Sequence, residues 1–194
     1  MDFNLLPSNA SFGARPIFAS MDPSLKARLS ALPSVLDRVQ SSVMFAEEAS
    51  KLGADWVGAA FLRASLADLV SMEETQELDG PRSSILKVRD AKNPLVHFLG
   101  LLRHLNIHVK SVSASALAIA ASLDNQAFEM KASVITNVTA ADLAALRNAK
   151  HYVPNDLSRM LTWFTTAQEH WGAGYVFRVG AEAFAAEIAS HHGL

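Results

Sequence analysis

A chain of 194 residues, half of them hydrophobic, is long enough for one domain with a sizeable core and too apolar to be disordered. It has no cysteine, which excludes a disulfide framework and thiolate metal sites and fits a reducing compartment. The net charge of -2 excludes a general electrostatic pull toward nucleic acid or an anionic membrane.

No run approaches the ~20 apolar residues of a spanning helix, and the first residues lack the basic-then-apolar pattern of a signal peptide. The expected location is the cytoplasm, with no membrane partner. Residues 1–22, with Pro7, Gly13 and Pro16, read as an extended arm packing on the body. Asp22 and Pro23 then supply a cap and a first-turn proline. Leu25, Leu29, Leu32, Leu36, Val39, Val43 and Ala46 recur at steps of four and three, which lays one apolar stripe along a helix. Pro33 should kink or split it, and Gly53 should stop it. Asp55 can cap a second helix with Ala59, Leu62, Leu66 and Leu69 on its seam, running to about Gln76. The two make an antiparallel helical hairpin.

Asp79, Gly80 and Pro81 break the chain, and a short helical stretch is expected near Ile85 to Val88. Asn93 and Pro94 open a helix over 93–109. From 109 to 122 small, polar and β-branched residues alternate. After a turn at 123–126 the alternation resumes through Phe128 and Val134, so a β-hairpin is expected, although the Ala-rich stretch 114–121 also suits a helix. Thr139 and Asp142 form a capping box for a helix to about Lys150. Another begins at Pro154 and carries Leu157, Met160, Leu161, Phe164, Gln168 and Trp171. Gly172 and Gly174 break it, and a final helix presents Phe177, Ala181, Phe184 and Ile188. The expected fold is mostly α: a helical bundle with a small β-hairpin insertion and a C-terminal helical pair. Its parts are the arm 1–22, the bundle 23–111, the hairpin 112–138 and the C-terminal helices 139–194 on the same body.

Charge is unevenly spread. Residues 82–110 hold six basic residues against Asp90 alone, in an otherwise acidic chain. The same segment carries His97, Leu101, His104 and His108 in one helical column. His104 and His108 have the i, i+4 spacing of a metal pair. No third ligand follows at a diagnostic distance, and Leu105 stands where a zinc protease has its glutamate, so neither metal nor cofactor is expected. The competing structural reading is a half-buried histidine stripe with its ring nitrogens satisfied internally. Arg103 and His108 suggest different chemistry. A histidine moves protons near neutral pH, and an arginine forks onto phosphate oxygens. RNA cleavage by its own 2'-hydroxyl uses both services. The two sit about 140° apart around the helix, so they meet only in a groove at a helix pair or dimer seam.

Arg103, His104, Leu105, Asn106, Ile107 and His108 resemble the signature of HEPN domains, an arginine and a histidine with four to six residues between them. That signature usually has a polar residue straight after the arginine, where His104 stands. The segment from Ala59 to Leu66 also resembles part of the first helix pair of such domains, and the likeness covers roughly residues 23–111. What it implies is a dimerising helical bundle, some of whose relatives are metal-independent ribonucleases and others binding modules. Arg103 would contact phosphate and His108 would be the acid/base, with His104, His97 and Asn106 in support.

The reading carried forward is a homodimeric interaction or nucleotide/RNA-binding module. The alternative is a metal-independent endoribonuclease using Arg103 and His108. A DNA-binding helix-turn-helix at 139–171 is disfavoured, because its second helix offers only Arg159 before Glu169. Trp163, Phe164, Trp171 and Tyr175 fall at helical spacing and read as core, not as a ligand pocket.

Overall fold

The computed structural model describes residues 1–8, 21–52, 56–81, 85–108, 113–123 and 126–194. Seven helices and one hairpin follow in the order α1 (Pro23–Leu29), α2 (Pro33–Leu52), α3 (Trp56–Asp79), α4 (Pro94–His108), β1 (Ala114–Leu123), β2 (Gln126–Ile135), α5 (Ala140–Ala144), α6 (Pro154–Trp171) and α7 (Ala173–His191). The mostly helical fold with a small hairpin is the one the sequence predicts. Among the described residues no helix is long and apolar enough to cross a membrane.

Pro33 does split the first stripe, separating α1 from α2. The expected stop at Gly53 and cap at Asp55 lie outside the described residues. α2 and α3 run antiparallel. Asp79, the last residue of α3, accepts hydrogen bonds from the Ser34 and Val35 N–H groups, so one helix end caps the start of the other. Midway, the buried Ser42 hydroxyl donates to the Ser65 carbonyl.

α7 lies at the centre, against α1, α2, α3, α4 and α6. It approaches α2 closely because Gly174 has no side chain; a Cβ there would overlap the Ala46 carbonyl oxygen and the Ser50 hydroxyl. Gly174 is therefore a buried residue of the first turn of α7 and not the helix breaker that its sequence context suggests. Gly172, at φ 79°, makes the actual turn between α6 and α7. Further along α7 the buried Arg178 pairs with Glu182 at 3.2 Å and with Glu47 of α2 at 3.4 Å. Glu187 accepts from the Lys92 and Asn93 N–H groups, and Asn93 caps α4 through the Leu95 N–H. Phe98 of α4, Phe164 of α6 and Phe177 of α7 stack in sequence, with centroids 4.6 and 6.3 Å apart, and tie three helices into one core. Phe164 and Trp171 are buried, in line with the core reading of the aromatic residues.

The hairpin pairs Ala114 with Ile135 through to Leu123 with Gln126. β1 starts at Ala114, and the expected alternation over 109–112 lies outside the described residues. Ala132, Ser133, Val134 and Ile135 are all buried, so the base of β2 is covered on both faces. The capping box of Thr139 and Asp142 is present, but its helix ends at Ala144 and a 3-10 turn, Arg147–His151, takes over. The expected helical stretch near Ile85 is likewise displaced, to a 3-10 turn at Val88–Asp90. Of the N-terminal arm, residues 1–8 are described. They rest on α6, where Trp163 Nε1 donates to the Pro7 carbonyl and the Arg159 guanidinium lies 3.7 Å over the Phe3 ring.

Candidate functional site

α4 is apolar almost all round from Pro94 to Leu102, as suits a helix enclosed by others. His97, Gly100, Leu101 and His104, at steps of three and four, share one face of the helix. A cleft of about 220 Å3 opens beside this face. Val70 and Glu73 of α3 form a second wall, Val88 and Arg89 a third, and Asn148, His151 and Tyr152 a fourth. Gly100 brings the third wall in: a Cβ there would stand 2.6 Å from Val88 Cγ1, so a side chain at this position would push the Val88 methyl aside. Glu73 fastens the same turn, with Oε2 accepting from the Val88 N–H at 2.9 Å.

His97 is 3% exposed and uses both ring nitrogens. Nε2 is 2.6 Å from the Ala91 carbonyl oxygen and Nδ1 is 2.7 Å from the Tyr152 hydroxyl. A carbonyl only accepts, so Nε2 carries the proton and Nδ1 takes the Tyr152 O–H. Burial pushes the His97 pKa below the ordinary histidine value, against a smaller upward pull from the Ala91 hydrogen bond. Burial also pushes the Tyr152 phenol up to about 12. The pair is a neutral, oriented network.

The residues singled out by sequence divide between this cleft and other faces. His97 and His104 line the cleft, His104 half-buried. Arg103 lies about 100° round the helix from His104 and is absent from the cleft lining. It is half-buried, and its Nε is enclosed with no hydrogen-bond partner among the described residues. Asn106 is half-buried and Ile107 is 52% exposed. His108 ends α4 in the column of His97 and His104, but its side chain lies outside the described residues. Of the basic segment, Arg82 and Lys110 also lie outside them, while Arg89 projects into solvent at the mouth of the cleft. No group of three or more metal-ligating side chains gathers among the described residues.

Sequence reasoning missed Glu73, Asn148, His151 and Tyr152. They come from segments far apart in the chain and share no periodicity with α4. The one local signal was a histidine and tyrosine placed just before the helix-opening Pro154. Comparison with known proteins adds no further residues, since no family model, curated protein or solved structure matches the chain.

Proposed function

We propose that the protein is a non-catalytic helical module that binds a nucleotide or an RNA end in the cleft beside α4. The observation that carries this reading is the cleft lining itself. Arg89 and His151 stand at the mouth, Glu73, Asn148 and Tyr152 provide polar groups, and Val70, Val88 and Leu101 supply apolar walls. A small apolar pocket with a few placed polar groups is the usual form of a ligand site. The likeness of residues 103–108 to the HEPN signature also favours a nucleotide or RNA ligand, although among its described side chains only His104 lines this cleft. Titrating a labelled single-stranded RNA tests the proposal: binding should weaken with salt and fall in an Arg89→Ala, His151→Ala double variant. Absence of binding at low salt overturns it.

Self-association belongs to the same reading. Ile107, half-exposed on the last turn of α4, offers an apolar contact to a second copy. Light scattering that finds only monomer removes this part.

A second reading, metal-independent RNA cleavage, has one observation in its favour. Arg103 is only half-buried, its Nε has no hydrogen-bond partner among the described residues, and a guanidinium is suited to forking onto phosphate oxygens. Arg103 would hold the phosphate and His108 would transfer the proton. RNA incubated in chelator should then be cut, and His108→Ala should abolish the cutting. Intact RNA, or cutting unchanged in that variant, rejects it.

A further inference from the structure

The hydrogen-bonding sense of the cleft is set deep in the fold. The Ala91 carbonyl fixes the proton on His97 Nε2, which leaves Nδ1 as an acceptor, which in turn fixes the direction of the Tyr152 O–H. With its proton committed to His97, the phenol oxygen has only lone pairs left to offer. Glu73 contributes in the same sense. Its Oε2 takes the Val88 N–H, and Oε1 has no partner among the described residues, while both oxygens retain accepting capacity. Glu73 and Tyr152 thus offer acceptors between the apolar walls of Val70, Val88 and Leu101, and His104 and Asn148 line the cleft beside them. Arg89 and His151 stand exposed at the mouth.

A ligand matched to this arrangement is flat, has N–H donors along one edge and carries negative charge at its other end. Uracil presents one N–H between two carbonyls. Adenine and cytosine present one amino group beside a bare ring nitrogen, whose lone pair would face the Glu73 carboxylate. Guanine alone among the RNA bases has two adjacent donors, N1–H and the 2-amino group, that a single carboxylate can take together. The size agrees. At about 220 Å3 the cleft is smaller than the ~300–1,000 Å3 of sites that enclose a whole drug-sized ligand, and it suits a base with its sugar and phosphate outside.

We propose that the cleft selects guanine, with Glu73 and Tyr152 as the acceptors that read its donor edge and Arg89 and His151 meeting the attached phosphate. This rests on the nucleotide-binding reading above.

Calorimetric titration of the full chain with the monophosphates of guanosine, inosine, adenosine, cytidine and uridine tests it. Guanosine monophosphate should bind tightest. Inosine monophosphate, which lacks the 2-amino group, should bind roughly tenfold more weakly, on the scale of base-edge discrimination. Glu73→Gln is the matching protein variant. Its amide carbonyl still accepts from the Val88 N–H, while its NH2 turns the open acceptor into a donor. It should lose roughly 10- to 100-fold in guanosine monophosphate affinity at an unchanged melting temperature. Equal binding of all five nucleotides would leave the nucleotide-binding reading standing and overturn the guanine inference. No binding of any would overturn both. Tighter binding of argininamide than of guanosine monophosphate would show that the donor edge belongs to a peptide side chain, and would also overturn it.

Discussion

Gln168 holds Ile135 as a neighbouring strand would: its Oε1 accepts from the Ile135 N–H at 2.7 Å and its Nε2 donates to the Ile135 carbonyl at 2.8 Å. The side-chain amide of α6 thus completes the edge of β2 where both groups are buried. Gln76 of α3 does the same for Leu86, at 2.9 Å in each direction, in a less enclosed place. Each buried backbone group left unpaired costs about 1–3 kcal/mol. Gln168→Leu is therefore expected to destabilise the protein by roughly 2–5 kcal/mol, and Gln76→Leu by less. Urea unfolding of the two variants measures this. A Gln168→Leu variant as stable as the parent would show that the amide pair is not holding the hairpin base.

Gly174 and Gly180 both sit in α7 against neighbouring helices, but a methyl group at each meets different matter. At 174 it meets the Ala46 backbone carbonyl, which moves only if α2 moves; at 180 it meets the end of the Leu99 side chain, which can change rotamer. Overpacking that cannot relax typically costs about 1–3 kcal/mol and sometimes more. Gly174→Ala should lie at or above the top of that range and Gly180→Ala near its bottom. Thermal melts of the pair decide it, and the reverse order would contradict the packing argument.

His97 makes stability depend on pH in a defined sense. Its folded pKa is lowered, chiefly by burial, whereas the unfolded ring titrates near ~6.5. Below that pH the unfolded chain takes up a proton that the folded one refuses, so stability falls as the pH drops from about 7 toward 5. His192, also lowered by burial, adds in the same direction. Glu182, whose pKa burial raises despite Arg178, acts oppositely but at lower pH, nearer the carboxylate range. In His97→Gln the amide can still donate to the Ala91 carbonyl, while Tyr152 loses its acceptor. The variant should start about 1–2 kcal/mol less stable at pH 8 and show a shallower fall on acidification. An unchanged slope would place the titration elsewhere.

The fold was legible where a local rule met no tertiary competitor. Asp22 with Pro23, Pro33, the Thr139–Asp142 box and Gly172 each act through their own backbone, and each does what its residue type implies. Gly174 misled because its reason is the Ala46 carbonyl of another helix. The helix expected through Lys150 shortened because Arg147–His151 turns aside to bring Asn148, His151 and Tyr152 onto α4. The site was half legible. The column of His97 and His104 follows from helical spacing, but its partners are assembled from α3, the Val88–Asp90 turn and the 147–152 segment, none of which a one-dimensional period can join. The reading of a histidine stripe satisfied internally holds for His97, whose two nitrogens both have partners. Spacing gave no sign that Arg103 Nε lacks one among the described residues.

That unspent donor makes Arg103 a test of what the helix is for. A buried, unpartnered Nε is a cost to the folded state, since the group has left water without finding a replacement acceptor. Arg103→Met keeps an apolar stem of similar reach and removes the donor. It should raise stability by about 1 kcal/mol, because the desolvation cost disappears. If the cost is carried for the sake of a phosphate ligand, the same variant should weaken RNA binding, or abolish cleavage under the second reading, while it melts at a higher temperature. Arg103→Lys should lose the ligand effect too, since an ammonium cannot fork onto two oxygens. Melting curves and RNA titrations on the same preparations separate the cases. A more stable Arg103→Met protein with undiminished RNA affinity would remove Arg103 from the site, and a less stable one would make it a packing residue.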